Sequence, residues 1–122
     1  MKIEFHIKGV IVTPYQKSVI EKKLMKLKRY LKDEPMIIDV YLTDESSIEK
    51  GGVDQSVELS AVFDNEKIFT KEIDDQLMRA FAFAYRSFER NIQRFHRKRI
   101  DRTRKSSTTA IDRLLRRLRI RE

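Results

Sequence analysis

Cysteine and tryptophan are absent from the 122 residues, and there are only three glycines and two prolines. Without thiols the chain forms no disulfide and no thiolate nucleophile, and a zinc site would lack its usual sulfur ligands. A reducing, cytoplasmic setting fits that composition. Three glycines leave no glycine-rich loop that could cradle a phosphate. No apolar run approaches the roughly 18 residues that a membrane span needs. Met1 to His6 alternate in polarity instead of forming the apolar block of a signal peptide. His6 and His96 lie far apart, and no His/Asp cluster has metal-ligand spacing along the chain. The Asp74-Asp75 pair reads as charge at a helix start rather than as a catalytic dyad. These gaps predict a protein that is not an enzyme and takes no cofactor, metal or small-molecule substrate.

What the chain does have is positive charge, +8 in all, distributed unevenly. Residues 1–89 hold 14 Lys/Arg and 16 Asp/Glu, a balance of −2. Residues 90–122 hold 13 and 3, a balance of +10. Within the first part, segment 15–32 stands at +6 and segment 36–75 at −8. Such a dipolar layout draws a polyanion to one face and repels it from the other.

Hydrophobic periodicity gives the elements. Ile3, Phe5 and Ile7 alternate with polar residues through 2–8, which predicts a half-buried strand ended by Gly9. Thr13-Pro14-Tyr15-Gln16 is a helix start, with Thr as N-cap, Pro in the first turn and Gln closing a capping box. Ile20, Leu24, Leu27 and Leu31 then define a core stripe through 14–32, and Pro35 forbids continuation. Strands are predicted at 36–43 (Met36, Ile38, Val40, Leu42 inward), at 53–63 (Val53, Val57, Leu59, Ala61, Phe63 inward) and at 67–73. The polar loop 44–52 separates the first two, and a tight Asp64-Asn65-Glu66 hairpin joins the last two. Leu77, Phe81, Ala84, Phe88, Ile92 and Phe95 predict a long helix over about 75–99. Segment 100–109 lacks periodicity and reads as a linker. Residues 110–121 form a weaker basic amphipathic helix with an Ile111/Leu114/Leu115/Leu118 stripe, marginal in isolation at about twelve residues.

The fold class is therefore α+β in the order β-α-β-β-β-α. A four-stranded sheet with both helices on one face spans 1–99, followed by a linker at 100–109 and a basic tail at 110–122. Stacking both helices on one face sets two cationic rows side by side. The first helix contributes Lys22, Lys23, Lys26 and Arg29; the second contributes Arg86, Arg90, Arg94 and Arg97. Two such rows suit phosphates, which Arg grips bidentately. Phe81, Phe88 and Phe95 belong to the core stripe, whereas Phe83 and Tyr30 lie off it, where a base could stack.

Across residues 1–99 the chain resembles the short form of the ribosome hibernation-promoting and ribosome-associated inhibitor family. The likeness rests on Val12-Thr13-Pro14, on the basic helix Lys23-Leu24-Met25-Lys26-Leu27-Lys28-Arg29-Tyr30, and on Phe88-Glu89-Arg90-Asn91-Ile92-Gln93-Arg94. It implies a factor that docks on small-subunit rRNA in the channel for messenger and transfer RNA. Such a factor stabilises idle ribosomes as part of a stress response, and is a monomer off the ribosome. Lys23, Lys26, Arg29, Arg90 and Arg94 fall where the family's rRNA-contacting residues lie. Two rival readings stand beside it. One is a generic RNA-binding module, disfavoured because Asp74-Asp75 occupies the place of the lysine cluster of duplex-RNA binders. The other is a protein or membrane interaction module acting through the tail helix.

Overall fold

The computed structural model describes residues 1–30, 37–45, 54–63 and 65–121, with side chains as far as Ile100 except that of Arg99. Four strands run Lys2–Lys8 (β1), Ile37–Asp44 (β2), Gln55–Phe63 (β3) and Glu66–Asp74 (β4). Helix α1 covers Pro14–Met25, a 3-10 segment follows over Lys26–Tyr30, and helix α2 covers Leu77–Arg121. The predicted α+β order is thus the observed one. Met36 and Val53, Leu31 and Lys32, Asp64 and most of the loop 44–52 lie outside the described residues.

The strands are ordered β1-β2-β3-β4. β1 pairs parallel with β2, with Glu4 beside Asp39 and Phe5 beside Val40. That parallel pairing needs a crossover, which α1 supplies. β2 pairs antiparallel with β3, and β3 with β4. Asn65 turns the last hairpin at φ 64°, a left-handed conformation that Asn tolerates better than most residues. Ile38, Val40, Leu42, Val57, Leu59, Ala61, Phe63, Ile68 and Thr70 are buried, alternating along β2, β3 and β4. Their partners in the core are Ile20, Leu24 and Leu27 from the first helical segment, and Leu77, Phe81, Ala84, Phe88 and Ile92 from α2. The Thr70 hydroxyl donates to the Ala84 carbonyl at 3.1 Å, tying β4 to α2 within that core.

The start of α1 is the predicted one. The Gln16 N–H donates to Thr13 Oγ1, and the Thr13 N–H donates to Gln16 Oε1, both at 3.1 Å. Its end differs. The helix predicted to run to 32 gives way after Met25 to 3-10 geometry. The apolar spacing is compatible with the change: Ile20 to Leu24 is four residues, Leu24 to Leu27 three. A three-residue turn keeps Leu27 on the buried line.

α2 opens at Leu77 behind Asp74, whose Oδ1 accepts from the Gln76 N–H at 3.0 Å and from Arg79 Nε at 2.9 Å. Asp75 accepts from Arg79 at 2.6 Å. The hydrogen bond with Asp75, then the Gln76 amide and Arg79, hold the Asp74 carboxyl at about 2. This pair caps and charges the helix start, as the sequence predicts. The segment 100–109, predicted to be irregular, is instead helical. It contains no Gly or Pro to stop a helix already formed. Propagation adds one hydrogen bond per residue and escapes the nucleation cost that makes an isolated segment marginal. The chain divides into two compact units, Met1–Ile92 and Gln93–Glu122.

Candidate nucleic-acid interface

Lys22 and Lys23 occupy the last turn of α1, and Lys26 and Arg29 the 3-10 segment. All four are exposed. Because side chains three apart eclipse in a 3-10 helix, the transition that keeps Leu27 buried also lines Lys26 up with Arg29. Arg86 and Arg90 are exposed one α-helical turn apart on α2. Among the described residues no carboxylate pairs with Lys22, Lys26, Arg86 or Arg90. With respect to the described residues these four cations are open to a phosphate.

Two side chains of α2 draw the first row against the second. Arg29 Nη2 donates to Glu89 Oε2 at 3.2 Å, and the Tyr85 hydroxyl donates to the same oxygen at 3.0 Å. Lys23 Nζ lies 5.2 Å from the centre of the Tyr85 ring, and Arg29 lies 4.8 Å from that of Tyr30. Burial, and then the bond to Glu89, push the Tyr85 phenol well above its ordinary pKa. It therefore stays a neutral donor at any physiological pH. The structure thus brings Lys23 and Arg29 together with Tyr85 and Glu89, and Arg86 and Arg90 flank Glu89 in sequence. Lys22 instead borders a cavity of about 480 Å³ lined by Met1, Ile3, Ser18, Glu21 and Met25. Arg94 and Arg97, both exposed, belong to the second unit.

Glu89 and Tyr85 are the residues that sequence reasoning missed. Their four-residue spacing, with a carboxylate set among arginines, was the available signal. Phe81 and Phe88 are buried and Phe83 is 46 % exposed, as expected, whereas Phe95, expected in the core, is only half-buried, as is Tyr30.

The fold also brings together a cluster that spacing along the chain does not show. The parallel register of β1 and β2 gathers Glu4, His6 and Asp39, with one potential metal-ligand atom each within 4.8 Å of the others. Asp39 lies 33 residues from His6, so spacing along the chain could not reveal the cluster. Its members have protein partners: His6 Nε2 is 3.0 Å from Asp39, and Lys2 Nζ is 3.2 Å from Glu4. The His6 ring also stacks on Tyr41 with centroids 4.5 Å apart. Elsewhere away from the cationic rows, Lys71 pairs with Glu45 at 2.8 Å.

Comparison with known proteins places the chain in a family. The model of the sigma 54 modulation protein / S30EA ribosomal protein family matches residues 3–100. The chain belongs to this family. Its members are ribosome-associated factors that regulate translation, and it is not an enzyme family. Among solved structures, the N-terminal domain of protein Y from Thermus thermophilus is 24 % identical, with a TM-score of 0.64 over 78 % of this chain and 99 % of that one. A ribosomal subunit interface protein from Coxiella burnetii is 16 % identical, with a TM-score of 0.57 over 78 % of this chain and 97 % of that one. At these identities the two neighbours establish the shared fold. No curated protein matches the chain at a significant level. No described helix is long and apolar enough to cross a membrane.

Proposed function

We propose that this chain docks on small-subunit rRNA in the channel for messenger and transfer RNA, inhibits translation and stabilises idle ribosomes. The observation that carries this reading is the pairing of two cationic rows within one compact unit, Lys23, Lys26 and Arg29 beside Arg86 and Arg90. Family membership supports a ribosomal partner, and the Coxiella burnetii neighbour, a ribosomal subunit interface protein, agrees with it. Phosphate contacts fix position and register without reading base sequence, which suits a partner recognised as a folded rRNA surface. Arg94 and Arg97 add contacts from the second unit, and the basic tail 110–122 provides a further anchor. The protein is a monomer off the ribosome.

Occupying a channel inhibits by exclusion, so effect follows stoichiometry. Purified protein is expected to arrest translation in vitro at about one molecule per ribosome, leaving rRNA uncut, and to exclude initiator transfer RNA from the small subunit. Inhibition by substoichiometric protein, or simultaneous binding of initiator transfer RNA, would contradict the proposal.

A further inference from the structure

Glu89 is a carboxylate in the middle of a face otherwise suited to polyanions, between Arg86 and Arg90 in sequence and in contact with Arg29. Charge alone makes it a defect, since it repels the phosphates that its neighbours attract. Its contacts say otherwise. A single oxygen, Oε2, accepts from both Arg29 Nη2 and the Tyr85 hydroxyl. The Glu89 side chain is 26 % exposed and that of Arg29 is 59 % exposed. Tyr85 is itself buried, so Glu89 is anchored to the core through its partner on the same helix. The guanidinium has five N–H donors in a planar fork. Bonded to Glu89 through Nη2 and lying 4.8 Å from the centre of the Tyr30 ring, it still has donors for a phosphate oxygen on its exposed side.

We propose that Glu89 is a positioning residue: it fixes Arg29 of the 3-10 segment against α2 in the orientation that binds a phosphate. This inference rests on the rRNA-binding reading above. A free arginine must give up rotamer freedom when it grips a ligand, and one already held gives up less. The same contact bridges the two rows, joining residues 60 positions apart in the chain.

Charge repulsion and positioning predict opposite signs, so one double-mutant cycle separates them. Binding of purified small ribosomal subunits is measured at fixed salt for the wild type, Glu89→Ala, Arg29→Ala and the double variant, with Glu89→Gln and Tyr85→Phe alongside. Thermal unfolding of each variant accompanies the binding data. Positioning predicts that Glu89→Ala weakens binding by about five- to tenfold, the range expected for coupled neighbours. Glu89→Gln, which keeps an acceptor oxygen, is expected to recover most of that loss. In the Arg29→Ala background the same Glu89→Ala change is expected to cost nothing. A structural role alone would lower the unfolding midpoint in both backgrounds, and Tyr85→Phe would reproduce it. Tighter binding by Glu89→Ala, or an equal loss with and without Arg29, overturns the positioning role while leaving the rRNA-binding face intact. Wild-type binding by Arg29→Ala overturns Arg29 as a phosphate contact, and the positioning role with it; only if Lys26→Glu/Arg90→Glu also binds normally does the parent reading fall.

Discussion

Replacing Lys26 and Arg90 together by Glu is expected to weaken small-subunit binding by about a hundredfold or more. Hydrogen bonds to charged groups are worth about 1.5–3 kcal/mol each, and two of them lost amount to at least two factors of ten. Reversal adds repulsion to that loss. The wild type, with about five to seven phosphate contacts, is expected to show a slope of log affinity against log salt of roughly −4 to −6. The variant's slope falls by about 1 for each contact removed. Both residues are exposed and have no carboxylate partner among the described residues, so thermal stability stays near that of the wild type. Filter binding or sedimentation over a salt series provides the check. An unaltered affinity in this folded variant would remove the two-row face from consideration.

The largest effect on stability is expected at Phe88, which is fully buried. Phe88→Ala leaves a cavity where α2 faces the strands and costs about 3–5 kcal/mol. A domain of this size has about 5–15 kcal/mol in total, so the variant is expected to be partly unfolded at growth temperature. Urea denaturation is expected to show a lower midpoint with an unchanged slope. A loss below about 1.5 kcal/mol would mean that the α2 stripe does not form the core described above.

The two results probe different kinds of information in the chain. Phe88 was legible from sequence because α2 repeats its apolar residues at intervals of three and four, and because Ile38, Val40, Leu42 and Leu59 alternate along strands. Thr13-Pro14-Gln16 likewise announced a helix start that depends only on neighbours. Lys26 and Arg90 were legible as rows for the same reason. What escaped was everything that depends on pairing across the fold. Nothing near His6 in sequence shows that Asp39 lies beside it, and nothing near Arg29 shows Glu89. The 3-10 turn at Lys26–Tyr30 was not visible, because the three-residue interval between Leu24 and Leu27 fits an α-helix equally well. The helix through 100–109 was hidden because periodicity, used as the sign of a helix, reports burial rather than helicity. Continuation of a helix already formed needs no apolar repeat.

The face carrying Lys26 and Arg90, rather than the sheet surface away from the helices, is expected to meet rRNA. Site-specific photo-crosslinking tests it most directly. A photoreactive residue is placed singly at Lys26, at Arg90 and, as the control, at Phe69, which is 45 % exposed on β4. Each protein is bound to purified small subunits, irradiated, and its rRNA adducts mapped by primer extension. Adducts from positions 26 and 90 at neighbouring rRNA sites, with none from position 69, are the expected result. Strong adducts from position 69 with none from 26 or 90 would contradict the account.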